Sequence, residues 1–297
     1  MEENKVLTSR YILPLSDFGF KRVFATEKDK CLLIDLLNLC VSEDFGIISD
    51  ITYLPNEHLG EREEEKKVVF DIYCRNQNDD RFIIEMQRAE RPSFFRRVNT
   101  YVSRIISREV QVGDDEYRIP RVASVNILDY EMAEFENSER FFWKIWNRDD
   151  ENKIFSKTPA YYFIELSKFA RLKKDTGNLS RFDKWLYLLK HVHDMKEPPQ
   201  WVQGDIVFER FFKLCEYENM DTMERATYNK SILEFADVRE AVAFAQAKGE
   251  AKGEAKGEAK GRAETKLAMA KLLLEQGVDI EIITKTTGLT EEEILRN

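Results

Sequence analysis

Long apolar runs are missing from this 297-residue sequence. None approaches the roughly eighteen consecutive residues that would suggest a membrane-spanning helix. The first residues, Met1-Glu2-Glu3-Asn4-Lys5, lack a basic segment leading into an apolar one, so neither secretion nor membrane insertion is expected. Histidine is scarce, at three residues, and His191-Val192-His193 supplies the one close pair. With no cysteines beside it, that pair reads as a solvated helix end rather than a zinc site. The four cysteines, Cys31, Cys40, Cys74 and Cys215, show no metal-ligand spacing and read as reduced core thiols. Nor is there a surplus of positive charge: a net charge of -9 argues against indiscriminate coating of nucleic acid by the whole surface, while leaving a local basic groove open. What is present, 43% hydrophobic and 34% charged residues, suits a cytoplasmic protein of one large domain and a smaller appendage.

Two apolar runs carry acids at their centres. Val68-Val69-Phe70-Asp71-Ile72-Tyr73 and Phe82-Ile83-Ile84-Glu85-Met86-Gln87 both read as strands. Side chains at i and i+2 of a strand share a face, so Glu85 and Gln87 project together while Phe82, Ile84 and Met86 cover the other side. Asp71 alternates likewise with Phe70 and Ile72. If the runs pair around the polar stretch from Arg75 to Arg81, Asp71 and Glu85 come within reach of one divalent cation. Hard oxygen ligands suit Mg2+ or Mn2+, which keep several waters and use them to hold phosphate oxygens. Two edge charges on an ordinary antiparallel hairpin give the same pattern, and on these two residues alone that plainer reading is favoured.

Between Arg88 and Arg108 lie six arginines. Arg97, Tyr101, Arg104 and Arg108 fall at i, i+4, i+7 and i+11. At about 100° per residue they share one face of a helix, while Phe95, Val98, Val102, Ile105 and Ile106 form an apolar face. Because this helix follows the Glu85 strand directly, its basic side can hold phosphates beside the carboxylates; a merely solvated amphipathic helix is the alternative. Around these segments the chain reads as a helix over Leu15 to Cys40, broken near Thr26, a strand over Ile47 to Leu54, the two acid-bearing strands, the arginine helix and a strand over Arg121 to Leu128. Ala160 to Leu166 reads as a further strand. Helical patterns follow over Phe182 to Val192, Val207 to Tyr217 and Thr222 to Ala245, with Pro198-Pro199 as a break. Trp143, Trp146, Trp185 and Trp201 are assigned to packing.

From Ala247 an Ala-Lys-Gly-Glu repeat sets Gly249, Gly253, Gly257 and Gly261 in register. Each interior glycine costs a helix about 1 kcal/mol relative to alanine. Glu250, Glu254 and Glu258 are like-charged i,i+4 neighbours, as are Lys252, Lys256 and Lys260. Packing against another chain relieves both penalties; a flexible charged spacer is the alternative. Beyond the repeat, Lys266 to Gln276 reads as an amphipathic helix closed by Gly277, Asp279 caps a second helix, and Thr290-Glu291-Glu292-Glu293 offers a capping box for a third. These short helices superficially suggest a helix-turn-helix reader. The acidic run Glu291 to Glu293 would repel phosphate, so the segment is read instead as an oligomerisation or protein-interaction element.

Taken in order, Ser16-Asp17-Phe18-Gly19-Phe20-Lys21, the trio Asp71, Glu85 and Gln87, the segment Arg97 to Tyr101, the strand Val122 to Leu128 and the repeat-bearing tail resemble the recombination-promoting nuclease and transposase family of the PD-(D/E)XK nuclease superfamily. The resemblance spans most of the chain. It implies an α/β, restriction-endonuclease-like core, with a central mixed sheet flanked by helices, over residues 1-170. A helical region packing on that core over 171-246, a repeat linker or helix over 247-262 and a short helical oligomerisation or interaction element over 263-297 complete the expected organisation. The implied activity is Mg2+-dependent DNA endonuclease, with Mn2+ able to substitute, linked to recombination or mobile elements. Asp71 and Glu85 would bind the metal, Gln87 would orient water, and Asp17, Lys21, Arg97, Tyr101, Arg104 and Arg108 would contact DNA or support the site. The expected partners are DNA and further copies of the chain, joined through the C-terminal region.

Two positions depart from the superfamily pattern. Phe70 stands where the name has proline, without consequence. Gln87 replaces the lysine, and an amide can only hydrogen-bond where an ammonium also stabilises negative charge, so activity leans harder on the metal. Lys21 is a candidate for the missing cation, its plain alternative being a solvated helix charge. The alternative function is a nucleic-acid-binding or regulatory protein that keeps the fold with little catalysis. A tail-driven assembly protein, needing no metal at Asp71, is a third.

Overall fold

The apolar runs pair into a mixed sheet of six strands. In chain order the strands are β1 (Ile51–Tyr53), β2 (Glu57–His58), β3 (Val68–Val69), β4 (Ile72–Asn76), β5 (Arg81–Gln87), β6 (Val122–Leu128), β7 (Phe142–Arg148) and β8 (Ile154–Glu165). The main sheet runs β1-β4-β5-β6-β8-β7, while β2 and β3 form a separate two-stranded piece. Strand β6 is parallel to both β5 and β8, and the remaining pairs are antiparallel. Residues 9–55, 57–58, 68–91, 93–109, 120–148, 154–173 and 177–295 are described in this computed structural model. Met1 to Lys5 lie outside the described residues.

Strands β5 and β6 are covered on both faces, as the inner strands of a partly parallel sheet must be. Their alternation divides the core cleanly. Phe82, Ile84, Met86, Val125 and Ile127 face one side, where they meet Leu33 and Leu37 of one helix and Trp185 and Phe208 of others. Ile83, Val122 and Leu128 face the other side, beneath a crossover helix that carries Phe94, Val98, Val102 and Ile105 inward. On that second face the apolar cover splits. One cluster gathers Phe70, Ile83, Val102 and Val122, the other Phe94, Val98, Leu128 and Phe163, and Glu85 lies along β5 between them.

The helices are α1 (Asp17–Phe24), α2 (Lys30–Phe45), the crossover α3 (Phe94–Glu109), α4 (Leu166–Leu172), α5 (Arg181–His191), α6 (Ile206–Cys215), α7 (Thr222–Glu275), α8 (Ile280–Thr287) and α9 (Glu291–Leu295). Helix α1 begins where Ser16 Oγ accepts the Gly19 N–H at 3.0 Å and donates to the Leu13 carbonyl at 2.8 Å. A side chain at Gly19 would bring its Cβ to 2.2 Å from the Leu13 oxygen, so this turn demands glycine. The break expected near Thr26 is a short 3-10 turn over Glu27–Asp29. At the β4–β5 turn, Asn76 Oδ1 accepts from the N–H groups of Asn78 and Asp80, each at 2.9 Å, and Asp79 adopts φ 66°.

Several expectations need correction. The run Val68 to Tyr73 is not one strand: it breaks at Phe70 and Asp71, with β3 pairing to β2 and β4 to β5. Strand β1 covers only the end of the expected Ile47 to Leu54 run, Ile47 being exposed. Cys40, Cys74 and Cys215 are buried thiols, but Cys31 is exposed. Strand β7, which pairs to β8, was not anticipated.

The described residues divide into two compact units, one ending at Leu233 and the other beginning at Glu234. Helix α7 contributes Tyr228 and Ile232 to the first core and continues as helix through the glycine repeat. Near the end of the repeat, Arg262 pairs with Glu258 at 2.5 Å and Lys260 with Glu264 at 3.7 Å, both at i,i+4. In the second unit Ala270, Ile283 and Ile294 form a small core. Asp279 caps α8, Gly288 ends it at φ 71°, and Thr290 and Glu293 make the capping box of α9. Among the described residues no helix is long and apolar enough to cross a membrane.

Candidate active site

Pairing of Ile72 with Ile84 sets the next residues outward, Asp71 and Glu85, opposite each other. There the backbone ladder gives way to side chains. Asp71 Oδ2 accepts the Met86 N–H at 2.8 Å, and the Asp71 N–H points at Glu85 Oε1 across 3.4 Å. Each acid is thus tied to the other's strand. The Asp71 carboxylate takes an amide that a backbone carbonyl would otherwise accept, which is why the chain leaves the ladder here and Val68–Val69 pairs elsewhere.

The pair is poorly neutralised. Glu85 is 3% exposed; burial first, and then the neighbouring Asp71 carboxylate, push it up to about 8 despite the opposing pull of Arg97. Burial also raises Asp71, against the Met86 N–H and the charge of Lys21. Both acids therefore resist ionisation more than free carboxylates do. Arg97 Nη2 stands 3.9 Å from Glu85 Oε2, outside hydrogen-bond reach, and Arg97 Nε and Nη2 are buried without a hydrogen-bond partner among the described residues. The guanidinium lies near the rings of Phe94, at 5.6 Å, and Tyr101, at 5.8 Å. Tyr101 in turn packs edge-on against Phe70 at 5.1 Å, and burial raises its phenol, which remains a proton donor.

Asp17 and Lys21, one turn apart on α1, form an ion pair at 2.8 Å. Both act electrostatically on Asp71, so the start of α1 borders the acids. Gln87 closes β5, half-buried and on the same face as Glu85, and its carbonyl accepts the Asp129 N–H at 2.8 Å. Arg104 and Arg108 continue the Arg97 side of α3, roughly 10 and 16 Å farther along the helix axis at 1.5 Å per residue. The structure therefore gathers Asp17, Lys21, Asp71, Glu85, Arg97 and Tyr101, sets Gln87 beside them, and leaves Arg104 and Arg108 outside the cluster.

The sequence pattern does not single out Asn126. It is fully buried, it pairs in register with Glu85, and its amide donates to the Tyr162 carbonyl at 3.1 Å and the Ser124 carbonyl at 3.3 Å. Its signal was an asparagine inside the apolar run Val122 to Leu128. Among the described residues no group of three or more histidine, cysteine, aspartate or glutamate side chains is assembled for a metal. Asp71 and Glu85 nonetheless offer hard carboxylate oxygens, under-neutralised, one within β5 and the other just ahead of β4, a donor set that fits a cation such as Mg2+ that keeps most of its water.

A family model described as "PD-(D/E)XK nuclease family transposase" matches residues 14–245, which include all nine residues singled out above from Asp17 to Arg108. A second, described as "Rpn/YhgA-like nuclease family, C-terminal HTH domain", matches residues 263–296. That description is a helix-turn-helix, and it corrects the expectation that the acidic run Glu291 to Glu293 excludes one. No curated protein and no solved structure matches the chain.

Proposed function

The chain belongs to the PD-(D/E)XK nuclease family of transposases, and from that premise we propose that it is a metal-dependent DNA endonuclease working at Asp71 and Glu85. The observation that carries this reading is the crossed acid pair, buried and raised, with the Arg97 guanidinium short of contact. Two desolvated carboxylates with so little compensation favour a compact, doubly charged partner.

Asp71 and Glu85 would hold Mg2+, or Mn2+ in its place. When bound, such a cation supplies an acidified water and a charge to hold phosphate oxygens. The Met86 N–H fixes the orientation of the Asp71 carboxylate. Gln87, on the same face as Glu85, orients the attacking water through its amide but brings no charge. Lys21, anchored by Asp17, adds positive potential at the edge of the acids. Arg104 and Arg108 extend a basic line along α3 for the phosphates of a bound duplex. The C-terminal helix-turn-helix domain supplies a further DNA contact, and the repeat-bearing helix joins copies of the chain.

Nicking of supercoiled plasmid separates this reading from its alternative. Cleavage is expected from the intact protein with Mg2+, none with EDTA, and none from Asp71→Ala protein that keeps its circular-dichroism melt. Plasmid that is bound but left intact with either Mg2+ or Mn2+ would support the non-catalytic DNA-binding reading instead.

A further inference from the structure

We propose that Arg97 couples metal binding to phosphate binding by exchanging partners, a role that rests on the nuclease reading above. Arg97 Nη2 lies 3.9 Å from Glu85 Oε2, about one ångström beyond a charged hydrogen bond. Its Nε and Nη2 are covered by protein yet have no hydrogen-bond partner among the described residues. Buried guanidinium donors are rarely left in that state. The side chain as a whole keeps 27% exposure, so it also borders solvent. Phe94 and Tyr101 lie near the plane-forming end of the side chain, and Tyr101 is itself braced on Phe70. The guanidinium is thus confined at a point where a small shift decides what it bonds.

Without a cation, a shift of about one ångström would close the Arg97–Glu85 pair, so the arginine competes for the ligand. With a cation on Asp71 and Glu85, the guanidinium is repelled from them and freed for an anionic oxygen. A phosphodiester held by the cation presents such an oxygen, with the planar geometry of the guanidinium suited to it. Glu85 passes to the cation as Arg97 passes to phosphate. Each ligand then strengthens the other reciprocally, by an amount that linkage places at about fivefold or more.

Calorimetric titration of Mg2+ into the full-length protein, alone and with dimethyl phosphate, tests this at about pH 9, above the value of about 8 to which Glu85 is raised. Dimethyl phosphate carries the diester charge and is not consumed. In the wild type it should raise Mg2+ affinity about fivefold or more. Arg97→Gln should bind Mg2+ alone more tightly than the wild type and lose most of the phosphate effect. Arg97→Lys, which keeps the charge without the planar fork, should bind Mg2+ alone like the wild type and show a reduced phosphate effect. Equal affinities and equal phosphate effects in wild type and Arg97→Gln would overturn the coupling while leaving the metal site standing. So would Mg2+ binding weakened by one common factor in both conditions, which is the mark of a packing role. Absence of any Mg2+ binding to the wild type would overturn the coupling and the nuclease reading together.

Discussion

Replacing Glu85 by glutamine should stabilise the metal-free fold at alkaline pH while destroying the metal site. Glutamine keeps the shape and an oxygen for the Asp71 N–H but never ionises. The folded state raises Glu85 from 4.5 to about 8. Between those values the folded protein holds a proton that the unfolded chain has lost, so the stability associated with this group is intact below about pH 4.5 and falls as pH rises through 8. Each tenfold difference in proton affinity corresponds to about 1.4 kcal/mol, which sets the loss on the order of 5 kcal/mol. At about 2 °C per kcal/mol for a chain of this size, the melting temperature of Glu85→Gln should exceed that of the wild type by several degrees at pH 8.5 in EDTA, with the gap narrowing toward pH 5. Excess Mg2+ should then reverse the order, since ligand binding stabilises the wild type alone. Scanning calorimetry across that pH range measures both effects. A gap that stays constant from pH 5 to 8.5 would refute the argument, because a pH-independent difference reports packing and not the ionisation of Glu85.

Gln87→Lys should retain or raise Mg2+-dependent nicking and Gln87→Leu should abolish it, compared at matched Mg2+; a fully active leucine variant would make Gln87 structural. Joint replacement of Arg104 and Arg108 by alanine should weaken duplex binding and reduce its logarithmic salt slope by about 0.9 per lost phosphate contact. Mg2+ affinity should not change, and a salt series with unaltered slope would place the DNA path elsewhere.

The acid pair was legible because strand alternation puts Glu85 and Gln87 on one face, and a polar turn between apolar runs implies a hairpin. The break at Asp71 was not, because Val68 to Tyr73 is apolar on either side of it. Only the register shows that the Asp71 carboxylate substitutes for a backbone acceptor. Helix α3 was placed by its periodicity, yet Phe94 is buried where Phe95 was expected to lead the apolar face. Strand β7 escaped because Lys144, Asn147 and Arg148 interrupt its aromatic residues; its partner β8 supplies what the local pattern lacks. Asn126 could not be linked to Glu85 before the parallel pairing of β5 and β6 was known. In the tail, propensity left the glycine repeat open between helix and spacer, and the helix that runs through it is continuous with a segment anchored at Tyr228.

The bond from Met86 to Asp71 also makes one peptide group an internal indicator. Most amides of β5 are engaged by neighbouring strands, whereas the Met86 N–H is held by a group that changes charge. Protonation of the carboxylate weakens that bond, and a cation drawing on the same carboxylate redistributes its electron density. The nitrogen and proton resonances of Met86 should therefore move with occupancy of the acids, as a reporter that needs no attached probe and leaves every side chain in place.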